Sequence, residues 1–193
     1  MIKNLKKSKE LKLDNQCHFE ISDYRKIKGK FDKIVSVGML EHVGSKFYKT
    51  FFKKINNILT ENGLAIIHTI GSVDPKGPPQ PFIQKYIFPG GLVPSGSDLI
   101  EAIEKTNLIC ADMESLIHHY DKTLKSWLDR FLTNKEKAKK MYSESFVRMW
   151  EYYLTSTSAA FHSRDILVYQ LQIVKNFQAI PSNRRDYIYT KYS

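Results

Sequence analysis

A chain of 193 residues, 42% hydrophobic and 26% charged, suits one globular domain able to bury a sizeable core. Its two cysteines, Cys17 and Cys110, stand far apart, which leaves no metal knuckle and points to a reducing, cytoplasmic compartment. The net charge of +10 implies an anionic partner or a solvated lysine surface, and no apolar run approaches the ~18 residues of a membrane span, so any membrane contact is expected to be peripheral.

In chain order, residues 1–14 read as the end of a basic helix, with Leu5, Leu11 and Leu13 on its apolar side and no signal peptide. HFEIS (18–22) alternates weakly and fits a short strand. FDKIVSVG (31–38), with Ile34, Val35 and Val37, suits a buried strand of an α/β sheet. An amphipathic helix follows over 46–59, its stripe made by Phe47, Phe51, Ile55, Ile58 and Leu59, with lysines on the other faces. The ENG at 61–63 is the stop signal, Gly63 being suited to a left-handed cap. LAIIHTIGS (64–72) is the next strand, which completes a βαβ unit and predicts a parallel pair.

SVDPKGPPQP is too proline-rich for helix or central strand, and KYIFPGGLVPS continues as irregular chain. Asp98 with Glu101 opens a helix, Ile109 to Ile117 form a strand, and Asp121 is the expected N-cap of a helix that buries Leu124, Trp127, Leu128 and Phe131. A long helix spans Ser143 to His162, DILVYQLQIVK is the last strand, and the end is expected to be a loose basic-aromatic tail. The division is thus 1–176 for one domain and 177–193 for the tail.

Ligands of open α/β sheets bind outside the carboxyl ends of the strands. Glu41 and His42 stand just past one strand, and His68 near the end of the next. Neighbouring strands would turn Glu41 and His68 toward one crevice. His68 is the more informative histidine, because it interrupts the apolar run AIIHTI, where a polar ring must find a partner. A structural histidine is the plain alternative for each.

GMLEHVG, HTIGS, KYIFPGGLVPS, YDKTLKSWLDRF and RMWEYYLTSTSAAF stand in the order and approximate spacing of the cyclopropane-fatty-acyl-phospholipid synthases, relatives of the mycolic acid cyclopropane synthases. The chain resembles that family from about Asp14 to Val174. The resemblance implies a Rossmann-like methyltransferase fold, S-adenosylmethionine as cofactor, and methylene transfer to the double bond of an unsaturated phospholipid acyl chain. It further implies a bound bicarbonate base, held by Glu41, His68, the backbone of Ile70 and Tyr120. Asp23 and Tyr24 match the part that meets adenine, and Val37 and Gly38 the part beside the methionine moiety. A substrate cavity would use Trp150, Tyr153 and Phe161, whose aromatic faces attract positive charge; a core stripe explains their spacing equally well. No metal is implied.

The chain departs from the family at the glycine-rich cofactor turn: it has nine glycines, and no two are separated by a single residue. The expectation is therefore an amino-terminally truncated sheet without its first two strands, the carboxy-terminal part of a split or truncated synthase. Its partners would be a membrane surface and either a separate amino-terminal piece or a second copy. A non-catalytic module that binds lipid surfaces is the main alternative. A methyltransferase of other small molecules or proteins, and a basic nucleic-acid-binding domain without any recognition signature, stand behind it. Cyclopropane and methyl-branched products remain open.

Overall fold

The computed structural model of the protein describes residues 2–74, 80–180 and 184–189. It holds a four-stranded sheet built from β1 (Phe31–Val37), β2 (Leu59–Ser72), β3 (Ile109–Leu116) and β4 (Ile166–Val174), in the order β1-β2-β4-β3. β1 and β2 are parallel, as the βαβ reading requires, whereas β4 runs antiparallel to both of its neighbours. The helices are α1 (Ile2–Glu10), α2 (Tyr48–Ile58), α3 (Pro81–Tyr86), α4 (Gly96–Glu104), α5 (His119–Thr133), α6 (Lys135–Met141), α7 (Glu144–His162) and α8 (Asp186–Tyr189).

Side chains alternate across a strand, so β2 serves two cores. Ala65 and Ile67 face one layer, where Phe51, Phe52 and Ile55 of α2 and Leu99 and Ile103 of α4 pack against Leu171 and Ile173. Ile70 faces the other, where Leu124 of α5 and Tyr153, Leu154 and Phe161 of α7 close over Val168. A smaller cluster of Leu64, Val174 and Ala179 seals the far end of that face.

Several expectations need correction. β1 is not buried: Val35 is 69% and Val37 65% exposed, because no strand among the described residues pairs with its outer edge. HFEIS forms no strand for the same want of a partner, and Ile21 is 82% exposed. α2 ends one residue before Leu59, which already belongs to β2. Gly63 is not left-handed and sits inside that strand. Phe47 is exposed, and Tyr48 and Phe52 are buried in its stead.

The chain KYIFPGG is not wholly irregular, since Pro81 at the first helical position starts α3. Residues 75–79 of the proline-rich loop lie outside the described residues. α4 is capped by Ser95, whose hydroxyl accepts from the Asp98 N–H while the Asp98 carboxylate accepts from the Ser95 N–H, so Asp98 is the third residue of a capping box. Asp121 is not a cap either. It sits in the first turn of α5, buried, and accepts from Ser158 Oγ of α7 at 2.6 Å and from Lys125 at 2.8 Å. Trp127, 39% exposed, leaves the buried face of α5.

The end of the chain is tied down over 184–189. Arg185 pairs with Asp112 of β3 at 2.6 Å, the Tyr187 hydroxyl donates to Gln172 of β4, and that of Tyr189 to Glu114. Residues 181–183 and 190–193 lie outside the described residues.

Candidate active site

Gly38 sets the geometry. Its φ of +61° is left-handed, open to glycine without strain. Its N–H donates to the His68 carbonyl at 3.0 Å, so β1 stays paired up to the point where it turns away. The turn leads into a short 3-10 segment, Leu40–His42, that puts Glu41 over the end of β2. There Glu41 Oε1 accepts the Ile70 N–H at 2.7 Å, while Oε2 is buried and has no partner among the described residues. Leu92 in turn donates its N–H to the Glu41 carbonyl at 2.8 Å, which ties the FPGGL loop to the site.

Tyr120, at the start of α5, packs against the same cluster as Ile70, near enough for the Glu41 charge to act on it. Burial first, and the Glu41 charge second, push its phenol above the ordinary range, so it stays a hydroxyl donor at neutral pH. Its ring packs 4.9 Å from Phe161. Tyr153 is pushed up to about 12, by burial and then by Tyr120, and lies 5.1 Å from Trp150. Trp150, Tyr153 and Phe161 pack with Tyr120 in one cluster. On the other side Tyr48 is pushed up to about 12 by burial, Asp98 and Glu41.

The structure thus gathers Glu41, Ile70 and Tyr120 at one point. His68 faces the same side of β2 two residues before Ile70, half-buried, with Nδ1 3.2 Å from Gln170 Oε1 on β4. His42 is exposed and stacks edge-on against Phe88, apart from the carboxylate. Sequence reasoning missed Gln170, although it carries the same signal as His68, a polar residue interrupting an apolar strand.

A second feature lies under β1. An open groove of about 310 Å³ runs between the strand and α2, with Tyr24, Val37, Met39 and Phe51 in its walls. Tyr24 packs 5.7 Å from Phe51. Two of the four expected cofactor residues, Tyr24 and Val37, therefore share one groove, while Gly38 marks its end. Asp23 is spoken for: its carboxylate caps the turn Tyr24–Lys26 and pairs with Arg25, whose hydrogen bonds hold it down to about 2. Ser36, unremarked in the sequence, adds a buried hydroxyl without a partner among the described residues. These residues fit the apolar and aromatic side of an adenosyl group. Among the described residues, no group of three or more His, Cys, Asp or Glu side chains converges as metal ligands.

An open α/β sheet with a polar centre at the carboxyl ends of its parallel strands is a ligand-binding architecture. The comparisons sharpen this. A family model described as mycolic acid cyclopropane synthetase matches residues 3–171. The chain is 40% identical over 151 residues to the cyclopropane-fatty-acyl-phospholipid synthase of Escherichia coli (strain K12), covering 78% of this chain and 39% of that protein. It is 34% identical over 167 residues to tuberculostearic acid methyltransferase UfaA1 of Mycobacterium tuberculosis (strain ATCC 25618 / H37Rv), covering 83% and 39%. The solved cyclopropane synthase MmaA2 from Mycobacterium tuberculosis aligns with a TM-score of 0.74 at 27% identity, over 84% of this chain and 64% of that one. Mycolic acid cyclopropane synthase CmaA1, complexed with SAH and CTAB, aligns with a TM-score of 0.76 at 28% identity, over 89% and 66%.

The chain belongs to the mycolic acid cyclopropane synthetase family. It spans about two fifths of the length of these two curated relatives, 39% of each.

Proposed function

We propose that this chain serves the transfer of a methylene carbon from S-adenosylmethionine to the double bond of an unsaturated phospholipid acyl chain, forming a cyclopropane fatty acid at the inner face of a membrane. The observation that carries this reading is Glu41, half satisfied by the Ile70 amide and half unpaired, near the neutral hydroxyl of Tyr120.

S-adenosylmethionine, when bound, supplies an electrophilic methyl carbon and departs as a neutral thioether. The alkene π pair forms the new carbon–carbon bond and leaves a cation on the other alkene carbon. A proton of the transferred methyl would pass to a base, bicarbonate in this reading, and the C–H bonding pair it leaves would close the ring. The chain's residues favour that path electrostatically. The Glu41 carboxylate offsets the developing positive charge, and the faces of Tyr120, Phe161 and Tyr153 attract it. Tyr24, Val37 and Met39 would shelter the adenosyl side. Bicarbonate fits as base only in part, because the Ile70 backbone, expected to hold it, already gives its N–H to Glu41. Tyr120 O–H is the donor left for it; His68 could add an Nε2–H only if Gln170 turned its amide N–H toward Nδ1.

Calorimetric titration with S-adenosylmethionine comes first, and weak binding is expected while the groove stays open. A second copy or a separate polypeptide covering β1 would complete it and raise the affinity. Labelled methyl transfer to vesicles of an unsaturated phospholipid, followed by mass analysis of the acyl chains, then tests the reaction. A ring-bearing chain that disappears with Glu41→Gln supports the proposal. A methyl-branched product, or no labelled lipid from an assembly that binds the cofactor, overturns it.

One observation favours a second reading. The engagement of Asp23 by Arg25, beside an open groove, suits a module that binds lipid surfaces without catalysis. Vesicle binding without any methyl transfer would select it.

A further inference from the structure

α7 has two faces. Tyr153, Leu154 and Phe161 look inward to Tyr120, whereas Phe146, Met149 and Tyr152 look outward and, with Phe82 and Tyr86 of α3, line an open groove of about 480 Å³. The groove is built from aromatic contacts. Phe82 meets Tyr152 at 4.7 Å and Tyr86 at 5.5 Å, and Tyr142, Phe146 and Trp150 stack in a row along the helix at 4.4 and 5.9 Å. Their outer ends are left in solvent: Tyr86 is 55%, Tyr152 58%, Tyr142 61% and Met141 64% exposed.

Cations surround this apolar strip. Lys85 lies over the Tyr86 ring at 5.1 Å, and Arg148 sits in the groove wall. α6 reads KEKAKKM. Cations outnumber the carboxylates here: Glu144 is matched by Lys139 and Arg148 and Glu151 by Lys135, while Glu136 of α6 makes no ion pair among the described residues. Lys137 and Lys140 make no ion pair among the described residues.

Tyrosines at the edge of an apolar strip, flanked by surplus lysine, match a boundary between acyl chains and anionic head groups. We propose that the face formed by α3, α6 and α7 is where this protein meets an anionic phospholipid bilayer. Tyr86, Tyr142 and Tyr152 enter the head-group layer, and Lys137, Lys140, Lys85 and Arg148 meet its phosphates. Charge complementarity selects this occupant: the same surplus of one sign repels a second copy. No described helix is long and apolar enough to cross a membrane, so the contact through these elements lies in the interface plane. The inference builds on the acyl-lipid reading by naming the surface through which the lipid is approached.

Flotation with phosphatidylglycerol and with phosphatidylcholine vesicles, without S-adenosylmethionine, tests it. The wild-type chain is expected to float with the anionic vesicles. Tyr86→Ser with Tyr152→Ser, and separately Lys137→Glu with Lys140→Glu, are each expected to weaken that by about tenfold. Lys49→Glu with Lys53→Glu, on α2 across the sheet, removes equal charge and is expected to lose far less. In Trp127→Phe, brominated lipids are expected to quench Trp150. Circular dichroism checks that each variant is folded. Equal losses in the α2 control would reduce binding to net charge and overturn the proposal, as would absence of vesicle binding by the wild-type chain. A dimer that Tyr152→Ser splits would give the face to a second copy and overturn it too. Docking is read without cofactor, so a chain that docks but transfers no methyl sinks the catalytic reading alone.

Discussion

Glu41 is held by a single backbone donor, and that makes its substitutions informative. Glu41→Ala leaves the Ile70 N–H buried without an acceptor and is expected to cost about 1–3 kcal/mol in urea unfolding. Glu41→Gln keeps the acceptor and is expected to leave stability nearly unchanged. It also removes a negative charge beside Tyr120, so the Tyr120 phenol should ionise at lower pH in a spectroscopic titration, still above the ordinary range because burial, the larger cause, persists. Gly71 is the other sensitive point. A Cβ there would stand 2.2 Å from the Tyr169 ring on β4, so Gly71→Ala is expected to destabilise by about 1–3 kcal/mol in the same assay. A single polar residue past a strand is commonplace, and Glu41 was legible only because His68 stands near the end of the next strand. Gly71 carried no such sign, since the ring that requires it comes from a strand far along the chain.

At the scale of elements, periodicity located α2, α5, α7 and all four strands, because the 3.6 and 2.0 repeats are local. What it could not supply was the neighbour of each element. Phe31–Val37 reads alike at the centre or the edge of a sheet, and it lies at the edge. HFEIS alternates as a strand does but has no strand to pair with among the described residues. Asp121 resembles a cap until α7 is folded against it, when its carboxylate takes Ser158 and Lys125 and lies 3.5 Å from His162 Nδ1. Those partners, Lys125 first and then Ser158, lower its ionisation from 3.8 to about 2. A carboxylate lowered in this way stabilises the fold above its unfolded value, and the contribution fades as pH falls through about 2. Thermal melts of wild type and Asp121→Asn should therefore differ near neutral pH, differ less below 3.8, and converge near 2.

For the molecule as a whole, the open edge of β1 is the most exposed liability. Val35 and Val37 present apolar surface beside unpaired backbone, a combination that recruits other chains. Sedimentation should show self-association rising with protein concentration, and Val35→Lys with Val37→Lys should shift the distribution toward monomer. A concentration-independent monomer in the wild type would count against this. The five motifs made the family legible in the sequence, since they span most of the chain in register. The basic and aromatic face on α3, α6 and α7 was not, because its residues come from three helices whose mutual placement only the fold decides.

The strand order β1-β2-β4-β3 also bears on how the protein is made. β3 borders only β4, and β4 comes later in the chain than either of the strands it joins. While the ribosome is still adding residues before Ile166, the β1–β2 pair and β3 have no ladder in common, and the layer of α2 with α4 and that of α3 with α5 and α7 have half a sheet to pack on. Synthesis of the central strand is then the event that turns a loose nascent chain into a folded one. Such late, long-range closure is slow and leaves apolar edges open in the meantime. Nascent chains arrested short of β4 should need a chaperone, and those arrested well beyond it should become resistant to protease.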